Sequence, residues 1–298
     1  MTLHRTQDIL DYYRQPTAMT SPGKHAALFR NLPNDIDELV RIVQRLGIYS
    51  LVTREFYDFN VPKEREDEIQ IRTVEKMLDR ILAMDDQPLT IGRPAEKRIV
   101  CLCRNFGLLL LSMLRAKNIP ARGRCGYANY LIPGYYETHW ICEYWDAGEE
   151  RWKIVDVQLD EIFRKKMEID FNILDIPRDR FLVVGDAWGN CRSGKADSSK
   201  FGYIPGHLCG LWHIAGNLVR EMAALNKMEM LSWDIWGAQP KRDELIKDEQ
   251  LAFFDELGEI SREPDASFDN LRRLYVEDNR LSVPVTVYNS RLAREEII

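Results

Sequence analysis

Apolar residues recur at helical spacing through much of the first hundred positions. Ile36, Leu39, Val40, Val43 and Leu46 fall three and four apart, which predicts a helix over 35–46 capped by Asn34 or Asp35. Val74, Met77, Leu78, Ile81 and Leu82 repeat the pattern over 69–84. Residues 87–96, with Pro88, Gly92 and Pro94, read as a loop. The next helix, 103–117, is apolar on nearly every side: Phe106, Leu109, Leu110, Met113 and Leu114 form one stripe, and Leu108 and Leu111 widen it. A helix without a polar face belongs in a core. Asn118-Ile119-Pro120 ends it, because Asn tolerates the left-handed cap and Pro cannot continue a helix.

The periodicity then changes. Residues 124–132, 138–146 and 151–157 are rich in Tyr, Trp, Ile and Val and read as strands, separated by Pro133-Gly134 and Ala147-Gly148. Helical spacing returns after Asp160, most clearly over 211–225 and 243–257. Helices on both sides of a run of antiparallel strands predict an α+β fold. The expected organisation is a helical N-terminal lobe over 1–95, a catalytic core over 96–165 and a mainly helical extension over 166–298 packed on that core, either as separate regions or as one domain.

Composition narrows the function classes. The chain has 298 residues, 45% hydrophobic and 30% charged, with a net charge of -6. An acidic chain lacks the basic surface that non-specific nucleic-acid binding needs. No apolar run is long enough to span a bilayer, and residues 1–10 are polar and charged with no apolar leader, so the expectation is a cytoplasmic protein without membrane association. Six cysteines are too few for a disulfide scaffold of this length. Each is then a small buried residue, a metal ligand or a nucleophile.

Cys103 is the candidate nucleophile. It opens the buried helix, where backbone N–H groups are unpaired and the dipole is positive, a field that favours a thiolate. Gly107, one turn on, leaves room for a close neighbour. The two strands after it supply a base and a carboxylate. If Ala147-Gly148 is a two-residue loop, Asp146 pairs with Glu149 and His139 stands opposite Asp156; a four-residue loop moves the pairing by two and keeps both on one face. In this arrangement the Cys103 thiolate attacks a carbonyl, His139 moves the proton, and Asp156 fixes the tautomer of His139 and stabilises its cation. The backbone N–H of Cys103 is one oxyanion donor.

At these residues the chain resembles the transglutaminase-like superfamily. The resemblance rests on Cys103-Arg104-Asn105-Phe106, Leu114-Arg115, Ile119-Pro120-Ala121-Arg122 and Gly126-Tyr127, then His139 leading Trp140-Ile141-Cys142-Glu143-Tyr144, and Asp156 after Trp152-Lys153-Ile154-Val155. It covers residues 101–160. It departs from the usual pattern in Asn118 for Gly, in Trp140 directly after His139, and in Val157-Gln158 after Asp156. The resemblance implies a papain-like α+β core with the nucleophile helix packed on an antiparallel sheet. It implies a Cys-His-Asp triad of Cys103, His139 and Asp156, and acyl transfer through a thioester to water, as in a peptidase or amidase, or to an amine, as in a transglutaminase-type acyltransferase. The substrate would be a peptide or a small amide or ester. No cofactor is implied.

Other readings stand beside this one. Arg104 and Asn105 either face solvent or position the loop and substrate, and Trp140 is a core residue or a substrate contact. Cys101, Cys103, Cys125, Cys142 and His139 are a conceivable zinc set, but Cys-x-Cys at a helix entry points its thiols apart and no Cys-x-x-Cys occurs, so no metal site is expected. Asn217 and Arg220, one turn apart near Trp212 and His213, are expected to pair in the core. Trp233-Asp234-Ile235-Trp236 reads as a packed covering segment. The rival function is an inactive binding or scaffolding protein on the same fold.

Overall fold

The Ile36–Leu46 helix starts where its sequence says it should, with the Asp35 carboxylate accepting the Glu38 N–H. The computed structural model describes residues 3–298, and its contacts divide the chain into two units. One comprises residues 10–123 and 141–176; the other comprises residues up to 9, 124–140 and 177–298. The strands Ala121–Ala128 and Tyr136–Asp146 each run through both.

The first unit is built around the helix Cys103–Ala116, in which every residue from Arg104 to Arg115 is buried. Asn118 adopts the expected left-handed conformation at its end, with φ of 60°. A short parallel pair, Gly47–Tyr49 with Ile99–Cys101, feeds the chain into this helix. Gly47 is required there, because a Cβ would lie 2.8 Å from the Phe106 ring. The other face of the helix meets the strand Tyr136–Asp146, where Cys142 Sγ donates to the Gly107 carbonyl at 3.2 Å. Beyond the helix, Trp145 N–H donates to Pro120 O at 2.9 Å. The helix therefore lies along this part of the strand, with its C-terminal side at Trp145 and Gly107 at Cys142.

That strand pairs antiparallel with Arg151–Val155, from Cys142 opposite Val155 to Asp146 opposite Arg151. The loop is thus four residues, with Glu150 at a positive φ of 51° and Asp146 accepting the Gly148 and Glu149 N–H groups. The direct opposition of His139 and Asp156 that a two-residue loop would give is not the register; the pairing moves by two.

The second unit is helical with small antiparallel pairings. Gly126 to Ala128 pair with Val183 to Phe181, and Thr286–Asn289 forms a sheet with Arg294–Ile297 and Asp234–Ile235. The helices Val184–Arg192, Leu211–Leu225 and Asp248–Arg262 pack closely. A Cβ on Gly185 would lie 2.3 Å from the Gly258 carbonyl oxygen, so no larger residue fits. The Leu211–Leu225 helix has the bounds its periodicity predicts. The architecture is α+β, with a buried helix on an antiparallel strand pair, as the patterning implies.

Each unit buries an ion pair on the strand Ala121–Ala128. In the first, Arg122 Nε donates to Glu143 Oε2 at 2.7 Å, and its guanidinium lies 4.1 Å from the Trp152 ring centroid and 5.4 Å from that of Tyr13. Glu143 is fully buried. Removing one partner strands the other charge, so Glu143→Leu should cost about 3–5 kcal/mol, read as a lower urea midpoint. The double variant Arg122→Met/Glu143→Leu should recover most of that loss; a double variant as unstable as the single one would contradict this account.

Candidate active site

Cys103 is the first residue of its helix and is partly exposed, although the twelve residues after it are buried. Its N-cap, Leu102, is extended and has no side-chain acceptor to offer the helix. The polar work at this entry falls to the residues that follow. Asn105 Oδ1 accepts the Leu102 N–H at 3.1 Å, and its Nδ2 donates to Ile71 O at 3.3 Å. Arg104 donates to Ile71 O at 3.1 Å and to Arg72 O at 2.7 Å. Both side chains are buried, 2% and 1% exposed, and hold the backbone around the cysteine. Sequence left them between solvent, positioning and substrate; the hydrogen bonds are those of positioning.

The strand leading into Leu102 is pinned by Glu68, whose Oε2 accepts the Val100 N–H at 2.7 Å. Burial pushes the Glu68 carboxyl up, but Arg65, the Val100 N–H and Arg80 outweigh it and hold the group below its ordinary value. Cys101, two residues before Cys103, is fully buried, and desolvation followed by the charge of Glu68 drives its thiol well above the ordinary value.

Asp156 follows the last paired residue of its strand and is 1% exposed. Its N–H donates to Ile173 O at 3.0 Å, and its Oδ1 accepts the Gln158 N–H at 3.1 Å. Gln158 is 2% exposed, and neither atom of its carboxamide has a hydrogen-bond partner. An unsatisfied buried polar group costs about 1–3 kcal/mol, so this side chain is kept at the expense of stability. Sequence reasoning gave Gln158 no role beyond a departure from the family pattern, and the 64–68 charge run reads as solvated, whereas Glu68 is buried. The available signal for Gln158 was a polar side chain directly after an apolar strand and two residues from a candidate triad acid.

In the other unit, His139 is 2% exposed and sits edge-on to Tyr130 and Phe181, with ring centroids at 6.2 and 6.5 Å. A Cβ on Gly126 would lie 2.4 Å from the Phe181 ring, so glycine is what lets Phe181 approach. Glu137, on the same strand face, is raised by burial, an effect that the nearby His139 opposes. Trp140 is buried, 4% exposed, and belongs to the core.

The second histidine that sequence singled out stands in a separate polar cluster of this unit. Tyr127 Oη lies 3.2 Å from His213 Nδ1, Asn217 Nδ2 donates to Tyr127 Oη at 3.0 Å, and Arg220 donates to Asn217 Oδ1 at 2.9 Å. Asn217 and Arg220 do pair. Burial, then the charge of Arg220, lowers His213 to about 3. The Trp233-Asp234-Ile235-Trp236 segment is packed: Trp236 donates to Leu281 O at 3.1 Å, and Asp234 accepts the Leu231 N–H at 3.0 Å. Among the described residues, no three His, Cys, Asp or Glu side chains gather as a metal would require. No helix of the described residues is long and apolar enough to cross a membrane.

No family model matches the chain, and no curated protein matches it. Among solved structures, the chain is similar to a "putative cysteine protease" from Cytophaga hutchinsonii, at 16% identity and a TM-score of 0.35. The match covers 59% of this chain and 45% of that one, so the chain spans less than half the length of that protein.

Two outcomes follow from the local chemistry. Asn105→Ala should lower stability by about 1 kcal/mol through loss of the helix-entry bond, and should slow alkylation of Cys103 as the first turn loosens; unchanged melting and labelling would sink the positioning role. His213 is held neutral in the fold, so it stabilises above its unfolded pKa, near 6.5, and that contribution is lost as pH falls towards 3. His213→Gln should therefore flatten the stability-versus-pH curve across this window in urea titrations, and an unchanged slope would remove His213 as its source.

Proposed function

We propose that the chain is a cysteine-dependent acyl-transfer enzyme of the transglutaminase-like kind, with a papain-like core and a catalytic triad of Cys103, His139 and Asp156. The observation that carries this reading is the contrast within one helix. Cys103 is partly open to solvent at an end with unpaired N–H groups, while the next two side chains, Arg104 and Asn105, are buried and bonded to the backbone around that end.

The chemistry has four steps. His139 takes the thiol proton, and the Cys103 thiolate attacks the carbonyl carbon of an amide or ester. The carbonyl oxygen becomes an oxyanion beside the Cys103 N–H. His139 returns the proton to the departing amine or alcohol, leaving a thioester on Cys103. Water or an amine then attacks the thioester with His139 as base and frees the thiol. Asp156 holds the His139 tautomer and stabilises its cation. Its burial and its backbone bonds suit a group that stays fixed through the cycle. Hydrolysis of a peptide or small-molecule amide or ester is favoured over transfer to an amine, and the reaction needs no cofactor. The proposed division of labour puts the catalytic core at 96–165, with flanking helical regions at 1–95 and 166–298.

The test is the pH dependence of iodoacetamide labelling, followed peptide by peptide in the whole protein. Cys103 should label rapidly at pH 6 in the native chain, and His139→Ala should abolish that rapid phase, as expected of a thiolate–imidazolium pair. Labelling that rises only near the ordinary thiol value of about 8.5, in both proteins, would mean a fold retained for binding rather than catalysis.

A further inference from the structure

Gln158 is the one buried side-chain amide among the described residues with both polar atoms unpaired, and its surroundings point to the reason. Its main chain is fully engaged: its N–H donates to Asp156 Oδ1, and its carbonyl accepts the Asp160 N–H at 3.0 Å. The turn is rigid while the carboxamide it carries is left over.

Two independent sets of contacts set this turn beside the first turn of the nucleophile helix. Gly107 meets Cys142, Cys142 pairs with Val155, and Pro120 beyond the helix end meets Trp145, which pairs with Trp152. The N-terminal end of the helix, one turn before Gly107, is therefore directed past Val155 towards Asp156 and Gln158. From the opposite side, Gln44 Nε2 donates to Leu159 O at 3.1 Å, while Gly47, just beyond Gln44, lies against Phe106 and Cys101. The segment after Asp156 is thus held near residues 101–106 from two directions.

We infer that Gln158 Nε2–H is the second donor to the oxyanion formed over Cys103. This rests on the acyl-transfer reading of Cys103. In the attack, the sulfur–carbon bond forms and the carbonyl π pair moves onto oxygen, where the N–H groups of Cys103 and Gln158 receive it. When the leaving group departs with its bonding pair, the oxygen pair returns to carbon and the thioester carbonyl is restored. The terminal torsion of glutamine is broad, so the carboxamide can turn to meet the oxygen as charge develops.

Two reactions of the same thiol separate this role from a structural one. Acetylation of Cys103 by p-nitrophenyl acetate passes through an oxyanion; alkylation by iodoacetamide, a displacement at a saturated carbon, does not. Both are followed on the Cys103 peptide of the whole protein at pH 7. Gln158→Met, close in shape and without a donor, should slow acetylation by about a hundredfold while leaving alkylation unchanged and the melting temperature no lower. Gln158→Leu, uncharged and without a donor, should show the same selective loss and serves if the methionine variant fails to fold. Acetylation that is unchanged, or that falls in step with alkylation, overturns the assignment. Failure of the Cys103 reading is seen separately, in native alkylation that tracks an ordinary thiol.

Discussion

A buried carboxylate governs how Cys103 is presented. Glu68 accepts from Arg65 Nε at 2.7 Å, from Arg80 Nε at 2.7 Å and from the Val100 N–H at 2.7 Å. The helix that starts at Cys103 is apolar on almost every side, and apolar packing is non-directional. Burial alone would leave the rotation of such a helix about its axis weakly specified. Directional bonds at its entry remove that freedom: Glu68 fixes the incoming strand, Asn105 fixes the Leu102 amide, and Arg104 ties the first turn to residues 71 and 72. The polar groups sit where orientation has to be set, and the leucines fill the volume behind them.

The strand Ala121–Ala128 applies the same division. Arg122 is neutralised by Glu143, and Arg124 Nε donates to Glu221 Oε1 at 2.6 Å, while Glu221 Oε2 accepts the Cys125 N–H at 2.6 Å. Buried ion pairs of this kind are a weak source of net stability but a strong penalty on misplacement, since either charge without its partner is stranded in the core. Each arginine therefore selects one arrangement of its own unit, through a carboxylate distant in sequence.

Much of the local structure was legible from periodicity. Asp35, the Leu211–Leu225 helix and the left-handed Asn118 follow from side-chain spacing and cap chemistry, which act over a few residues. The strand over 124–132 was misplaced: it begins at Ala121 because Arg122 and Arg124 are buried by distant carboxylates, which no local pattern reveals. The hairpin register stayed open between two loop lengths for a related reason. Ala147-Gly148 reads as a two-residue loop, but the Asp146 carboxylate caps the Gly148 and Glu149 N–H groups and stabilises a loop of four. At the candidate site, residue types and spacing singled out Cys103, His139 and Asp156, whereas Glu68 and Gln158 acquire meaning only from burial and from which of their atoms are paired.

The pairing of Cys101 with Cys103 shows why local electrostatics matters more here than residue type. Both thiols lie at the same helix entry, two residues apart. Cys101 lies at the end of the strand that Glu68 pins, so it is desolvated and faces an anion; both effects favour the neutral thiol. Cys103 is past the cap, partly in water, at the positive end of the helix. The carboxylate that fixes the strand therefore also discriminates between the two sulfurs, suppressing ionisation of the buried one. A negative charge placed directly at Cys103 would oppose the helix field, so the pinning anion has to act upstream, through a backbone N–H of the preceding strand. Glu68 meets that requirement at Val100, three residues before the nucleophile.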